Sequence, residues 1–335
     1  MIVFTTRASI SQFLKASMMP ASLAVLATMA MAADSGARRA TLPLFDESSP
    51  WRQPIDGAGA TGLPNELLQG LIGNRIQGIT VNMDSWTPSV VYVHGAGDRY
   101  DMAWSKWMLR RVPVGSKVRR SAAYFSSTGD SDASVCVIDA EARLNYSLYG
   151  VRPSKEPAGV TIYAGGALRN DGPGWWDNKG EPWIGRASGG ALCGGLVLAE
   201  ELRRGELRHA LAIGWPRSLI LDRKTSYPAR TSDGTCTQES RCVPMGARIR
   251  LNPSLSEGDL RRFGLKPNDI VLARAFQIYG AYIVDSSHTV SIYVESGLGR
   301  GRLDYGLTGE WPSTLLRHLS IVEGPQPTRL ETASQ

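Results

Sequence analysis

Glycine and proline interrupt this chain so often that long regular elements are disfavoured. The 335 residues include 36 glycines and 19 prolines, about one residue in six. Glycine ends regular elements through its conformational freedom, and proline does so through its missing amide hydrogen. With 42% hydrophobic and 20% charged residues, the composition excludes a disordered chain, a collagen and a coiled coil. We therefore expect short strands joined by many turns.

Residues 1–32 have the organisation of a secretory signal peptide. Arg7 and Lys15 precede an apolar run at 18–31, and an A-M-A sequence ends at Ala32. A membrane anchor is the alternative, but a spanning helix needs about 20 apolar residues and this run is shorter. We predict cleavage near Ala32, a secreted or periplasmic protein, and no membrane span in the mature chain.

Export makes disulfides the expected state of cysteine. Cys236 and Cys242 enclose a short polar segment, which predicts a disulfide that closes a local loop. Zinc would need further Cys or His ligands at close spacing, and none lie nearby. Cys136 lies in an apolar run and Cys193 follows a leucine, and the sequence leaves open whether these two pair.

Short runs rich in Val, Ile and Tyr, bounded by Gly, Pro, Asp or Ser, predict strands. Because most connections between these runs lack helices, the pattern favours a mainly β fold, an antiparallel β-sandwich or jelly roll, over parallel α/β. The predicted strands cover residues 78–81, 89–93, 134–138, 158–163, 209–213, 247–251, 281–284 and 290–294.

A few short helices interrupt the strands, at 196–204, 256–263 and about 268–279. The third is apolar nearly all round, which predicts a helix buried on most faces. No internal repeat or linker divides the chain after Trp51. We therefore predict a loose lead-in at 33–50, a single β-rich domain at 51–322 and a flexible tail at 323–335.

Several acidic residues lie at the ends of apolar strands, where carboxylates commonly face clefts. Asp139 and Asp285 end such strands, Asp132 precedes one, and Glu295 follows one. Clustered acids suit general acid–base chemistry. Turn formation is the alternative, and it is the favoured interpretation for Asp130 because Asp is a preferred turn residue.

Three further polar residues lie in apolar segments. Alternation places His209 on an inner strand face, either as a catalytic base or as a hydrogen-bonded core histidine, the commoner case. Arg274 lies in the apolar helix and should meet a carboxylate or a ligand anion, because an unpaired buried charge is costly. Gln277 follows three residues later. A structural ion pair of Arg274 is the alternative.

Aromatic and basic residues suggest how a sugar would be held. Tyr227 and Arg230 lie in a Y-P-A-R segment, Tyr282 lies in a strand, and Trp176 belongs to a tryptophan-rich stretch at 172–183. Aromatic faces stack on the C–H faces of sugar rings when they are exposed. Buried, the same side chains would belong to the core.

Several function classes lack their signatures. The chain contains no H-E-x-x-H, Walker or G-x-S-x-G motif, and we predict no cofactor and no metal site. The formal charge is +6, but no basic stripe interleaved with aromatics occurs, so nucleic acid is not an expected partner. Export and the aromatic residues favour a polysaccharide or oligosaccharide partner.

An ordered set of motifs covers most of residues 45–295. The motifs are Trp51-Arg52-Gln53-Pro54-Ile55, the Asp132–Asp139 strand, Arg186-Ala187-Ser188-Gly189, Gly195-Leu196-Val197 through Glu201 to His209-Ala210-Leu211, Tyr227-Pro228-Ala229-Arg230, Pro244-Met245-Gly246-Ala247-Arg248 and the Arg274–Asp285 unit. In this order they resemble a group of exported bacterial proteins for which no activity is established. The resemblance implies a shared fold and site. In that group a histidine follows the first acid closely, whereas Asp132-Ala133-Ser134 lacks it.

The leading hypothesis is a secreted glycoside hydrolase that acts on a polysaccharide through paired carboxylates. Asp139 or Asp132 would face Asp285 or Glu295 across a groove. Carboxylates about 5 Å apart would give retention of configuration, and about 6.5–9.5 Å would give inversion. Arg274 would help to orient the acids, together with Gln277, while Tyr282, Tyr227 and Arg230 would hold sugar.

Two alternatives stay open on the sequence alone. A polysaccharide lyase would use His209 or a tyrosine as its base, with Arg230 or Arg274 neutralising a uronate. A non-catalytic lectin, or an envelope glycan-binding protein, would keep the aromatic surface without needing any single carboxylate.

Overall fold

A computed structural model of the chain describes residues 44–55, 61–63, 65–73, 78–95, 97–177, 185–298 and 305–322. The predicted signal peptide, residues 33–43 of the lead-in and the predicted tail at 323–335 lie outside these ranges. Phe45 is 5% exposed, and Pro50 opens a buried 3₁₀ turn that extends to Arg52. Residues 44–50, which the sequence placed in a loose lead-in, therefore contribute to the core.

The described residues are mainly β, as the sequence predicts, and their strands are short. They are β1 (Thr61–Gly62), β2 (Gly78–Asn82), β3 (Ser89–Val93), β4 (Arg99–Trp104), β5 (Trp107–Pro113), β6 (Val135–Asp139), β7 (Leu144–Tyr149), β8 (Arg152–Pro153), β9 (Val160–Thr161), β10 (Ala164–Arg169), β11 (Leu211–Pro216), β12 (Ile220–Thr225), β13 (Val243–Met245), β14 (Arg248–Leu251), β15 (Ala281–Ser287), β16 (Val290–Tyr293), β17 (Glu310–Pro312) and β18 (Leu319–Val322).

Helices are few in the same ranges. They are α1 (Asn65–Gly73), α2 (Ser116–Thr128), α3 (Ala199–Arg204), α4 (Glu257–Arg262) and α5 (Pro267–Ile278). The last three confirm the predicted helices to within a few residues, and α5 is buried along most of its length. The sequence missed α2 because its apolar stripe, Val118, Ala122 and Phe125, is narrow within a polar segment.

The sheets are mixed, which corrects the expectation of antiparallel pairing throughout. An eight-stranded sheet has the order β1-β18-β14-β15-β11-β16-β2-β17, and a four-stranded sheet has the order β10-β7-β6-β3. Three pairs in these sheets are parallel: β11 with β15, β16 with β2, and β3 with β6. Parallel neighbours need long crossover connections, and here α2 lies between β3 and β6, while α4 and α5 lie between β11 and β15.

The two largest hydrophobic clusters among the described residues support these sheets. The larger surrounds the eight-stranded sheet and includes Trp51, Trp215, Phe276, Tyr282 and Trp311. The smaller packs α2 against the four-stranded sheet and includes Val118, Phe125, Val137 and Leu148.

Two disulfides are present. Cys236–Cys242 is the local bridge that the sequence predicts. Cys136–Cys193 joins β6 to the segment before α3 and resolves the pairing that the sequence left open.

Candidate functional site

A cavity of about 310 Å³ brings together side chains from both large sheets and from the loops between them. Two aromatic side chains on its lining are widely exposed: Trp86 at 50% and Tyr163 at 75%. The other ionisable and phenolic residues in the described lining are Asp132, Asp233, Asp285, Arg186, Tyr149 and Tyr293. Acidic groups and exposed aromatic rings therefore share one concave site.

The carboxylate of Asp285 is held by two donors from one turn. The Arg186 guanidinium donates to Oδ2 at 2.8 Å, and the Ala187 backbone N–H donates to Oδ1 at 2.7 Å. Burial raises the pKa of Asp285 to about 6, although Arg186 and the Ala187 amide both oppose the rise. Asp285 is therefore a carboxyl group that exchanges its proton near neutral pH.

The turn that holds Asp285 is the R-A-S-G segment, and it docks directly on β15. The Ser188 N–H donates to the Val284 carbonyl at 2.9 Å, and the Gly189 N–H closes the turn on the Arg186 carbonyl at 2.9 Å. The Arg186 side chain is only 3% exposed, and its guanidinium lies 4.3 Å from the Tyr293 ring centroid. These contacts place the guanidinium beside the carboxylate.

A register shift in the sheet also affects how Asp285 is presented. β11 and β15 pair Ile213 with Ile283, but the next pair is Gly214 with Asp285, so Val284 is an extra residue. Such a bulge breaks the regular alternation and re-aims the side chains that follow it. Asp285 follows the bulge directly and lines the cavity.

Asp132 lies in the turn that leads into β6. The Tyr149 hydroxyl donates to its Oδ1 at 3.0 Å. Burial raises the pKa of Asp132, the hydrogen bond from Tyr149 lowers it, and the nearby charge of Asp130 raises it. The net pKa is raised, while the pKa of Tyr149 is raised mainly by burial, so this phenol stays a hydrogen-bond donor.

The three acids of the cavity all raise the pKa of one phenol, that of Tyr293. Burial raises the pKa of Tyr293, and the charges of Asp285, Asp132 and Asp233 raise it further, while Arg186 opposes them. Asp233 accepts a hydrogen bond from the Ser286 hydroxyl at 2.6 Å through Oδ2. Three carboxylates and one guanidinium thus share one electrostatic environment.

Two of the predicted catalytic acids lie elsewhere. Asp139 lies at the opposite end of β6 from Asp132. Its side chain is 1% exposed, and the Arg99 guanidinium lies 2.6 Å from its Oδ2. It also caps a turn by accepting from the Ala142 N–H at 3.0 Å. Glu295 follows β16, and neither acid lines the cavity. The structure therefore brings together Asp132 and Asp285 among the four predicted acids.

His209 has a buried ionic partner away from the cavity. Its Nε2 lies 3.1 Å from Glu201 Oε1, and its Nδ1 lies 2.8 Å from the Ala210 carbonyl oxygen. Burial lowers the pKa of His209, but the charge and hydrogen bond of Glu201, together with the hydrogen bond to the Ala210 carbonyl, raise it, and the net pKa is raised. The environment of His209 matches the core histidine that the sequence analysis favoured.

The polar pair on α5 is satisfied without a carboxylate or a ligand. The Arg274 guanidinium donates to Gln277 Oε1 at 2.8 Å, and the Gln277 amide donates to the carbonyls of Asn252 and Leu255. The expected acidic partner of Arg274 is absent among the described residues. Arg274 is half-buried, so solvent and an amide oxygen suffice to stabilise its charge.

The predicted sugar-holding residues also lie outside the cavity lining. Tyr282 is a core side chain whose hydroxyl donates to the Pro50 carbonyl at 3.3 Å. The Arg230 guanidinium lies 5.8 Å from the Tyr227 ring centroid. Trp176 is 8% exposed. The cavity instead presents Trp86 and Tyr163.

Sequence reasoning did not identify Trp86, Tyr163, Tyr149 or Arg186 as site residues. Arg186 belongs to the R-A-S-G motif that the sequence analysis named. A cation in a short glycine-containing segment was the one signal that could have marked it as a site residue. The three aromatic residues had no such signal, because their exposure depends on the packing of loops from distant parts of the chain.

Other cavities occur in the described chain. One of about 380 Å³ includes Glu206, Glu257 and Tyr279 in its lining, but both glutamates are paired with arginines, Arg208 and Arg261. A larger cavity of about 770 Å³ beside the Cys236–Cys242 disulfide has no carboxylate or aromatic side chain in its described lining. Within the described ranges, no group of three or more His, Cys, Asp or Glu side chains is placed to hold a metal ion. No helix of those ranges is long and apolar enough to cross a membrane.

No protein-family model matches this chain, and no curated protein or solved structure shows significant similarity to it. The candidate site is therefore defined by its own geometry and electrostatics.

Proposed function

We propose that this protein is a glycoside hydrolase in which Asp132 and Asp285 act as the pair of carboxylates. One observation carries the proposal: two acids with raised pKa values line a cavity whose exposed residues include Trp86 and Tyr163. Glycosidic bonds are typically cleaved by two carboxyl groups that flank the bond, one of them protonated.

The two environments separate the roles of the acids. Asp285 has its pKa raised to about 6 and serves as the general acid, giving its proton to the leaving glycosidic oxygen. Asp132 accepts a hydrogen bond from Tyr149, which favours its ionised form. Asp132 then supplies the second carboxylate, as nucleophile or as base for the attacking water.

The aromatic residues fit a sugar chain as the substrate. Trp86 and Tyr163 offer exposed apolar faces at a polar cavity, which is the arrangement that sugar C–H faces favour. The Tyr163 ring packs edge-on against Tyr149 at 6.2 Å between centroids. Because the Tyr149 hydroxyl also donates to Asp132, the aromatic pair Tyr149 and Tyr163 adjoins one of the two proposed reacting carboxylates.

The charges of the cavity favour a hydrolase over a lyase. A uronate would approach the carboxylates of Asp132, Asp233 and Asp285, while the one guanidinium in the described part of the lining, that of Arg186, already binds Asp285. Tyr149 stays protonated near neutral pH because its pKa is raised, so it is not available as the base of a lyase. These observations support a neutral glycan as the substrate.

Two further sequence predictions, export and the resemblance to a group of exported proteins, are compatible with this function. We propose export to the periplasm or the medium, in agreement with two disulfides in the described chain. We also propose that the resemblance to the exported bacterial group reflects a common site, because two of its motifs contain Arg186 and Asp285, which contact each other.

Incubation of the mature chain with neutral and uronate-containing polysaccharides is expected to release reducing ends from a neutral glycan. A hydrolase adds water across the broken bond, so no ultraviolet absorbance of an unsaturated sugar should accompany them. Reducing-end assays and absorbance are followed on the same samples. Absorbance would indicate a lyase, and binding without any products would indicate a lectin; either result contradicts the proposal.

Arg186→Met is expected to shift the pH dependence of kcat/KM. The general acid must be protonated, so the wild-type rate should fall as the pH rises through about 6, the pKa of Asp285. Arg186 lowers that pKa, and its loss should move the fall about 1 to 3 pH units higher. Arg186→Lys keeps the positive charge and should leave the fall near the wild-type pH. A rate that rises through pH 6 contradicts the assignment of the acid.

A further inference from the structure

The carboxylate of Asp130 connects two chain segments that each contribute to the cavity. Its Oδ2 accepts from the Trp86 backbone N–H at 2.9 Å. Its Oδ1 accepts from the Asp132 N–H at 2.9 Å and from the Ala133 N–H at 3.2 Å. Asp130 is 3% exposed and does not line the cavity.

Both segments adopt backbone conformations that need support. Trp86 has a φ of 59° and Ala133 a φ of 41°, in the left-handed region. Such conformations are unfavourable for residues other than glycine, and they persist where surrounding contacts fix them. One carboxylate binds the backbone N–H of both residues.

We propose that Asp130 is a positioning residue that couples the rim tryptophan, Trp86, to the reacting carboxylate of Asp132. A sugar ring that stacks on Trp86 is thereby held in a fixed relation to Asp132. The catalytic consequence rests on the proposed hydrolase function, whereas the coupling in glycan binding does not. The sequence favours a turn role for Asp130, and the contact with the Trp86 backbone adds a second role.

The turn that carries Asp132 has supports besides the Asp130 side chain. The Gly150 N–H donates to the Asp132 carbonyl at 2.9 Å, and the Val151 N–H donates to the Ala133 carbonyl at 3.0 Å. The Arg152 guanidinium donates to the Asp130 carbonyl at 3.0 Å. Loss of one carboxylate oxygen at Asp130 should therefore leave this turn in place.

Asp130→Asn separates the two functions of the carboxylate. The amide oxygen can still accept from the Asp132 and Ala133 N–H groups, while the amide NH2 faces the Trp86 N–H as a second donor. The variant therefore breaks the link to Trp86 and keeps the turn. Truncation to alanine would remove both and is less informative.

The test is calorimetric binding of three neutral oligosaccharides, cellohexaose, maltohexaose and chitohexaose, to the wild type and to four variants, one of them a control. Asp130→Asn and Trp86→Ala are each expected to raise the Kd of the best ligand about tenfold or more. Because both act on the same contact, the double variant should bind no more than about threefold more weakly than Trp86→Ala. Independent effects would multiply.

Asp139→Asn is the matched control. Asp139 is an equally buried turn-capping carboxylate at the other end of β6, outside the cavity. We expect its Tm to fall and its Kd to match the wild type. If Asp130 had a purely structural role, Asp130→Asn would likewise lower the Tm and leave the Kd unchanged. An unchanged Kd in Asp130→Asn therefore overturns the inference.

Two further outcomes also overturn it: multiplied effects in the double variant, and a wild-type chain that binds none of the three oligosaccharides. Hydrolysis is scored separately on the same samples. Binding with the expected coupling but without products rejects the hydrolase and leaves the role of Asp130 standing.

Discussion

Asp285→Asn is expected to lower kcat by about 100- to 10,000-fold, because an amide cannot give a proton to the leaving glycosidic oxygen. KM should change little, since the side chain keeps its size and the Arg186 guanidinium can still donate to the amide oxygen, although the amide NH2 then faces the Ala187 N–H as a second donor. The measurement is steady-state release of reducing ends on the neutral glycan that the wild type cleaves best.

The matched control for this variant is Asp139→Asn. Both side chains are carboxylates bound by one guanidinium and one backbone N–H, but Asp139 lies outside the cavity. It should keep kcat within about threefold of the wild type, well below the 100-fold or greater loss that a general acid–base group represents. If Asp285→Asn retains more than a tenth of the wild-type rate, Asp285 is not the general acid.

Asp132→Asn is expected to cause a loss of similar size, about 100- to 10,000-fold in kcat, because an amide can act neither as nucleophile nor as base. The Tyr149 hydroxyl can still donate to the amide oxygen, so the local structure should survive. Circular dichroism and Tm verify folding, and the rate is measured as for Asp285→Asn.

Tyr149→Phe is a milder variant that tests the same carboxylate, Asp132. It removes the hydrogen bond that lowers the pKa of Asp132 but keeps the ring that packs against Tyr163. The rate should fall less than in Asp132→Asn. An Asp132→Asn variant with wild-type kcat would remove Asp132 from the mechanism.

The strand pattern and the buried helix were predictable from the sequence because they depend on local composition. β3 occupies its predicted residues, and α5 matches the predicted apolar helix. The Cys236–Cys242 bridge was predictable because its two cysteines are neighbours in a polar loop. Local signals of this kind do not depend on how the sheets assemble.

The choice between Asp132 and Asp139 was not predictable. Both acids flank the same strand, β6, and only the assembled sheets determine which end of that strand faces the cavity. Asp285 was expected to face a cleft, and it lines the cavity, but it lies within β15 and not at its end. Its presentation follows from the bulge between β11 and β15.

Partners across long sequence separations were also beyond sequence reasoning. Arg186 and Asp285 are 99 residues apart, and Trp86 meets Asp130 across 44. For Arg274 the sequence predicted the wrong kind of partner. Its position in an apolar helix suggested a carboxylate, but its guanidinium donates to the side-chain amide oxygen of Gln277, three residues away. A pattern reports burial more reliably than it reports the identity of a partner.

The central claim is that Asp132 and Asp285 act together on one glycosidic bond, and the rate of the double variant tests it most directly. Residues that act as a unit give strongly non-additive losses. Asp132→Asn/Asp285→Asn should therefore lose about as much kcat as the more damaged single variant. A double loss equal to the product of the single losses would contradict the account.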